Sequence, residues 1–222
     1  MKQKKRPHHK SILVVGMGRF GSHLAMKLQE LGNTVLAVDK DESIIEDLAS
    51  HLENTMIADC SKEDFIQTLG ISNFDICYVA TGETFESTIL ITSYLKRYGA
   101  KYVVTKVSED IHIDILKTLG ADEIVYPERE LAEKTAVRHS ALGIIDYLPI
   151  SDEYSIYEIE VPESWIDKSI ADLHIRQKYH VNILTVKGET IKHAPNDDYT
   201  FAPGDIIALL GTEKNVMKIC QI

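Results

Sequence analysis

Short apolar runs alternate with amphipathic stretches through the first half of the chain, repeating about every 20–30 residues. The runs at 11–15, 34–39, 55–58, 76–80, 102–106 and 123–126 are too short for helices and predict strands. Between them, helical spacing covers 21–31, 42–52, 62–69, 85–98 and 110–119. Parallel neighbours need crossover helices, so this alternation predicts a doubly wound parallel sheet ending near Pro127. Gly32, Gly70, Gly99 and Gly120 each follow a helical pattern, where a left-handed C-terminal cap is expected.

Beyond Pro127 the texture changes. Leu131, Ala132, Thr135 and Ala136 have helical spacing, and 141–145 predicts a second short helix, so 129–150 reads as a helical connector. From Tyr154, "YSIYEIEVP", "VNILTVKG", "ETIKHAP" and "DIIALLG" read as short strands, with one helix in "IADLHIRQKY" and a turn at "APGD". The expected division is a tail over 1–10, an α/β domain over 11–128, the connector, and a smaller α+β domain over 151–222, with a boundary close to 143–151.

Charge removes some functions from consideration. Acidic residues outnumber basic ones 34 to 24, and a net charge of −10 disfavours nucleic acid as a partner. Lys2, Lys4, Lys5, Arg6 and Lys10 form a basic cluster with no apolar anchor, which predicts a disordered tail. No apolar run reaches membrane-span length, and Cys60, Cys77 and Cys220 form neither a C-x-x-C motif nor an even disulfide set. A cytosolic protein is expected, reaching a membrane only through a partner.

The candidate chemistry lies in "GMGRFG". Gly16, Gly18 and Gly21 match G-x-G-x-x-G between a strand and a helix, which marks the sheet as Rossmann-type. Gly16 allows the tight turn, Gly18 lets backbone approach a pyrophosphate, and Gly21 lets the helix pack closely. Asp39 closes the second strand, where a carboxylate accepts from ribose hydroxyls and repels a 2′-phosphate. NAD, ATP, ADP and AMP stay open; NADP does not. Arg19, inside the loop, favours a ligand with a terminal phosphate over a nicotinamide riboside, which has none. A dehydrogenase also needs a proton donor and a substrate domain, whereas His174, His180 and His193 are scattered through the small second domain. No catalytic residue is expected.

With "IADCSKEDFIQTLGI", "VATGETFESTILITSYLKRYGA", "TLGADEIVYPE" and "FAPGDIIALLG" added, nearly the whole chain resembles the RCK (KTN/TrkA) family. It is most similar there to the cytosolic gating subunits of Ktr potassium-uptake systems. The resemblance implies an RCK-N domain followed by RCK-C, a homo-octameric ring (a tetramer of dimers), and a membrane potassium-channel subunit of the KtrB/TrkH type as partner. ATP or ADP would set the ring's shape, and the protein would be peripheral on the inner face of the membrane. By this resemblance Arg19, beside Phe20 in the loop, meets the γ-phosphate, and Asp39, Lys40 and Asp41 meet the ribose. Asp59 and Cys60 flank adenine; Ala80, Thr81 and Gly82 line the fourth strand's end; Lys106, Val107, Ser108 and His112 follow the fifth. Glu128 faces the phosphates and helps hold a divalent cation, magnesium or calcium.

The resemblance also implies a second ligand, cyclic di-AMP, in an RCK-C dimer groove at Ile175, Arg176, Asn182, Ile183, Leu184 and Pro203. Ile144, Ile145, Tyr147 and Leu148 on the connector's expected second helix would supply apolar assembly surface. The alternatives are an NAD-dependent oxidoreductase with a small substrate domain and an NAD-responsive RCK regulator of another transporter.

Overall fold

The computed structural model describes residues 9–82, 84–140 and 143–221, without the side chain of Ser140. Residues 1–8, most of the expected basic tail, lie outside that range, as do Ala141 and Leu142 of the connector. The chain divides between Glu128 and Arg129 into two compact units.

In the first unit the strands are β1 (Ser11–Val15), β2 (Thr34–Asp39), β3 (Thr55–Ile57), β4 (Ile76–Val79), β5 (Val103–Lys106) and β6 (Glu123–Val125). The helices between them are α1 (Arg19–Glu30), α2 (Glu42–Leu48), α3 (Glu63–Thr68), α4 (Phe85–Arg97) and α5 (Ile113–Thr118). All pairings are parallel, in the order β3-β2-β1-β4-β5-β6. This is the Rossmann order, with its switch point between β1 and β4.

Strand alternation explains the layering. Ile12 and Val14 pack with Val35, Ala37, Ala25 of α1 and Ile45 of α2. Leu13 and Val15, pointing the other way, pack with Cys77, Val79, Ile66 of α3 and Leu95 of α4. Helices on both faces leave the central strands no polar side, hence their continuous apolar runs. The four helix-ending glycines all adopt positive φ, from 61° to 101°. The helix expected over 110–119 opens as a 3₁₀ turn, Asp110–His112, before α5.

The helix α6 (Pro127–Ser140) starts in the first unit and continues into the second. In the second unit an antiparallel sheet has the order β10-β9-β11-β8-β7. Its strands are β7 (Ile144–Pro149), β8 (Ser155–Glu160), β9 (Asn182–Lys187), β10 (Ile191–His193) and β11 (Ile206–Gly211). Short helices α7 (Ile170–Leu173) and α8 (Ile175–Tyr179) precede β9, and α9 (Glu213–Cys220) follows β11. Trp165 and Phe201 centre the core, with Ile159, Ile207, Leu209 and Ile219 of α9.

Three expectations need correction here. The short helix expected over 141–145 is strand β7 from Ile144 onward, paired antiparallel with β8. An apolar run this short fits either period, and the β-branched pair Ile144–Ile145 beside a waiting edge decides for strand. Ile144 is therefore core and Tyr147 packs against it, rather than both forming an assembly face with Ile145 and Leu148; Leu148 remains exposed. The single helix expected in "IADLHIRQKY" is broken into α7 and α8 by His174, at φ 45° and ψ 42°. The helix α9 was not anticipated. No helix among the described residues is long and apolar enough to cross a membrane.

His180, the exposed C-cap of α8, is also left-handed, at φ 55°. A Cβ there costs roughly 1–2 kcal/mol, less the roughly 0.5–1 kcal/mol that glycine loses in chain entropy. His180→Gly is therefore expected to stabilise this unit by about 0.5–1 kcal/mol, read as a raised melting temperature. A lower one would mean that the imidazole makes a contact worth more than the strain.

Candidate nucleotide site

The site forms where β1, β2, β4 and β5 end, at the carboxyl edge of the sheet. Gly16 turns the chain out of β1 at φ 95°, and a Cβ there would lie 2.7 Å from the Thr81 nitrogen. Its own N–H donates to the Val38 carbonyl at 2.8 Å. A Cβ on Gly21 would fall 1.8 Å from the Gly16 carbonyl oxygen, so α1 packs on the loop with no room for a methyl group. At Gly18, the N-cap of α1, a Cβ would meet nothing within 4 Å. Gly16 and Gly21 are closed by protein; Gly18 faces open space at a helix N-terminus, where an anion is favoured.

Asp39 fastens this loop. Its Oδ2 accepts from the Met17 N–H at 2.6 Å and its Oδ1 from the Asp41 N–H at 2.9 Å. Each oxygen keeps a lone pair for a further donor. The Asp41 carboxylate instead caps α2, accepting from the Ser43 N–H and hydroxyl at 2.9 and 2.7 Å.

A cleft opens beside Asp39, lined by Gly16, Lys40, Asp59, Cys60, Ser61, Thr81 and Ile91. Asp59 accepts from the Ser61 N–H and hydroxyl, at 3.0 and 2.6 Å. The hydroxyl bond is the main cause holding its carboxyl below the usual carboxylate range. Burial pushes the Cys60 thiol up to about 12, with the Asp59 and Asp39 charges adding to it. Cys60 is thus a neutral, unreactive wall.

A second cleft shares Thr81 and continues along Gly82, Thr84, Phe85, Lys106, Val107, Ser108 and His112. Phe85 and His112 stack with ring centres 3.5 Å apart and planes within 10°. Lys106 Nζ lies 2.7 Å from Glu128 Oε1. Chiefly through that hydrogen bond the Glu128 carboxyl is held below its ordinary range, with further help from the Arg19 charge.

Most of the residues singled out in the sequence therefore gather at one sheet edge. Arg19 is exposed at the start of α1, Phe20 packs partly into the core, and Ala80 is buried against Gly16. Glu128 is isolated as a metal ligand. Among the described residues no three of His, Cys, Asp and Glu group around a cation position. A cation there would take its remaining ligands from phosphate and water.

Sequence reading missed Ser61, Thr84 and Phe85. The D-x-S spacing of Asp59 and Ser61, and the helix-start pattern Thr84-x-x-Ser87, were the available signals. In the second unit Arg176, Asn182 and Pro203 are exposed, Ile183 and Leu184 are half-buried on β9, and Ile175 belongs to the core.

Comparison with known proteins bears on both units. The TrkA-N domain model matches residues 12–127 and the TrkA-C domain model residues 156–222. Ktr system potassium uptake protein C of Bacillus subtilis (strain 168) is 33% identical over 210 residues, covering 94% of this chain and 95% of that protein. Ktr system potassium uptake protein A of the same organism is 32% identical over 216 residues, 96% of each chain. Among solved structures, the GsuK channel bound to NAD superposes with a TM-score of 0.67 at 16% identity, over 96% of this chain and 39% of that one. At that identity the likeness is one of fold.

Proposed function

This chain belongs to the family built from TrkA-N and TrkA-C domains, and we propose that it is the nucleotide-sensing, non-catalytic gating subunit of a potassium-uptake system. The observation that carries this reading is the pairing of near-full-length likeness to two Ktr proteins with a glycine loop fastened by Asp39 and open at Gly18. The likeness supports potassium transport as the process. The loop supports an adenosine nucleotide as the signal.

In this reading Asp39 uses its free lone pairs for the ribose hydroxyls and rejects a 2′-phosphate by charge. The open start of α1 receives the phosphates, and Arg19 reaches the terminal one. Glu128 would help hold a divalent cation, magnesium or calcium, when the nucleotide is bound. A cation supplies the charge reversal that lets a carboxylate and a phosphate share one site. ATP and ADP then stabilise two conformations of a homo-octameric ring unequally, and the difference reaches a membrane channel subunit from its cytoplasmic side. Exposed Arg176, Asn182 and Pro203 support a second, cyclic di-AMP-binding role for the 129–222 unit.

Calorimetry on the purified protein tests the signal. Asp39→Ala is expected to weaken ATP and ADP alike, and Arg19→Ala to weaken ATP by about ten- to a hundredfold more than ADP. Equal losses on Arg19→Ala would remove it from the γ-phosphate. The same titrations with NAD separate an NAD-responsive regulator from an ATP/ADP sensor. Restored potassium uptake in cells lacking their own gating subunit tests the process, and a chain that binds nucleotide yet never restores uptake would overturn the transport reading.

A further inference from the structure

We propose that the Lys106–Glu128 ion pair, alongside Arg19, discriminates nucleotides by their terminal phosphate. Glu128 holds Lys106 in the nucleotide-free protein, a terminal phosphate takes Lys106 away, and, where no divalent cation takes the place of Lys106, the release of Glu128 loosens the first turn of α6. The proposal rests on the nucleotide reading above and adds to it a competition internal to the protein.

Lys106 closes β5 on the same sheet edge as the glycine loop, and it lines the second cleft with Thr81, Gly82 and Ser108. A Cβ on Gly82 would meet nothing within 4 Å, so the cleft is open beside it. The two partners are unequally placed. The Lys106 side chain is 13% exposed, whereas that of Glu128 is 60% exposed. Lys106 is the held half of the pair, and its carboxylate partner is the half that water can replace.

A pair so exposed on one side is weak. A terminal phosphate offers more charge and three acceptor oxygens, which makes it the stronger partner for a lysine held in place. Arg19 acts on Glu128 as well, so both cations suited to a terminal phosphate already bear on one carboxylate. Glu128 is also the second residue of α6, the helix that carries the chain across the division at 128/129. Exchange of the partner of Lys106 therefore changes the anchoring of that helix at its first turn.

The test uses the full chain in chelator, so that no cation bridges Glu128 to phosphate. ATP and AMP affinities are measured by calorimetry, and hydrogen exchange is followed in peptides covering 127–140. Glu128→Gln removes the competitor and is expected to tighten ATP several-fold while leaving AMP unchanged. Lys106→Met is expected to weaken ATP by about tenfold or more and AMP little. In Lys106→Met/Glu128→Gln the gain from Glu128→Gln should vanish. ATP, but not AMP, should speed exchange at the start of α6 in the parent, and Lys106→Met alone should reproduce that without nucleotide. Unchanged ATP affinity in Glu128→Gln, additive effects in the double variant, or an α6 indifferent to ATP would each overturn the proposal while leaving the nucleotide reading intact. A parent protein that binds neither ATP nor AMP overturns both.

Discussion

Replacing Gly21 with alanine is expected to destroy nucleotide binding and to lower the stability of the 1–128 unit. The added methyl group would sit 1.8 Å from the Gly16 carbonyl oxygen and 3.2 Å from the Ala80 Cβ. Neither neighbour can yield, because Gly16 is tied to Val38 and Ala80 lies buried where β4 ends. The helix α1 must therefore back away from the loop by more than an ångström. Overpacking of this kind costs about 1–3 kcal/mol, and a displaced helix start no longer aims its free N–H groups at the phosphates. Affinity for ATP should fall by about a hundredfold or more, the scale set by misplacing a binding group by that distance. Gly18→Ala is the control. Its methyl group meets no protein atom within 4 Å and its φ of −65° suits alanine, so the variant should melt like the parent. If the open space at Gly18 belongs to phosphate, Gly18→Ala should still lose affinity. A Gly21→Ala protein that binds ATP normally would show that the loop is not the nucleotide cradle.

Trp165→Ala should have a comparably large effect on the other unit. Trp165 is 1% exposed and packs its ring 5.7 Å from Tyr179 and 5.8 Å from Phe201. Loss of a buried tryptophan costs about 3–5 kcal/mol, a large share of the stability of a small domain. The residues around it belong to a cluster separate from those of the Rossmann sheet. Calorimetric unfolding should therefore show the transition of the 129–222 unit moving sharply downward, while ATP affinity stays within about twofold of the parent. A matching loss of ATP affinity would show that the nucleotide site depends on the second core.

Much of the first unit is legible because its signals are local. A strand buried on both faces is a continuous apolar run, and a glycine after a helical pattern announces its own left-handed cap. The loop chemistry at Gly16, Gly18, Gly21 and Asp39 reads at fixed spacing for the same reason. What stayed hidden depends on partners distant in sequence. The family resemblance points to Lys106 and Glu128 one by one, but not to the ion pair that β5 and α6 make of them at 2.7 Å. Phe85 and His112, 27 positions apart, stack only because α4 and the turn before α5 converge. The residues 144–149 carry an apolar run compatible with either period, and only the free edge of β8 makes them a strand. The helix break at His174 was hidden for another reason: few non-glycine residues adopt a left-handed backbone, and a lone histidine inside a helical pattern does not announce one.

If Asp39 meets the ribose as proposed, its double duty would limit how this site could be redesigned. Changing the ligand from an unphosphorylated to a 2′-phosphorylated ribose calls first for removing the carboxylate that repels the extra phosphate. Here that carboxylate also holds the N–H groups of Met17 and Asp41. A single replacement at this position would therefore unfasten the loop before any new ligand could be selected. A viable route must first supply another acceptor for Met17, so a switch of cofactor class needs at least two coordinated substitutions, and selection for one function protects the other.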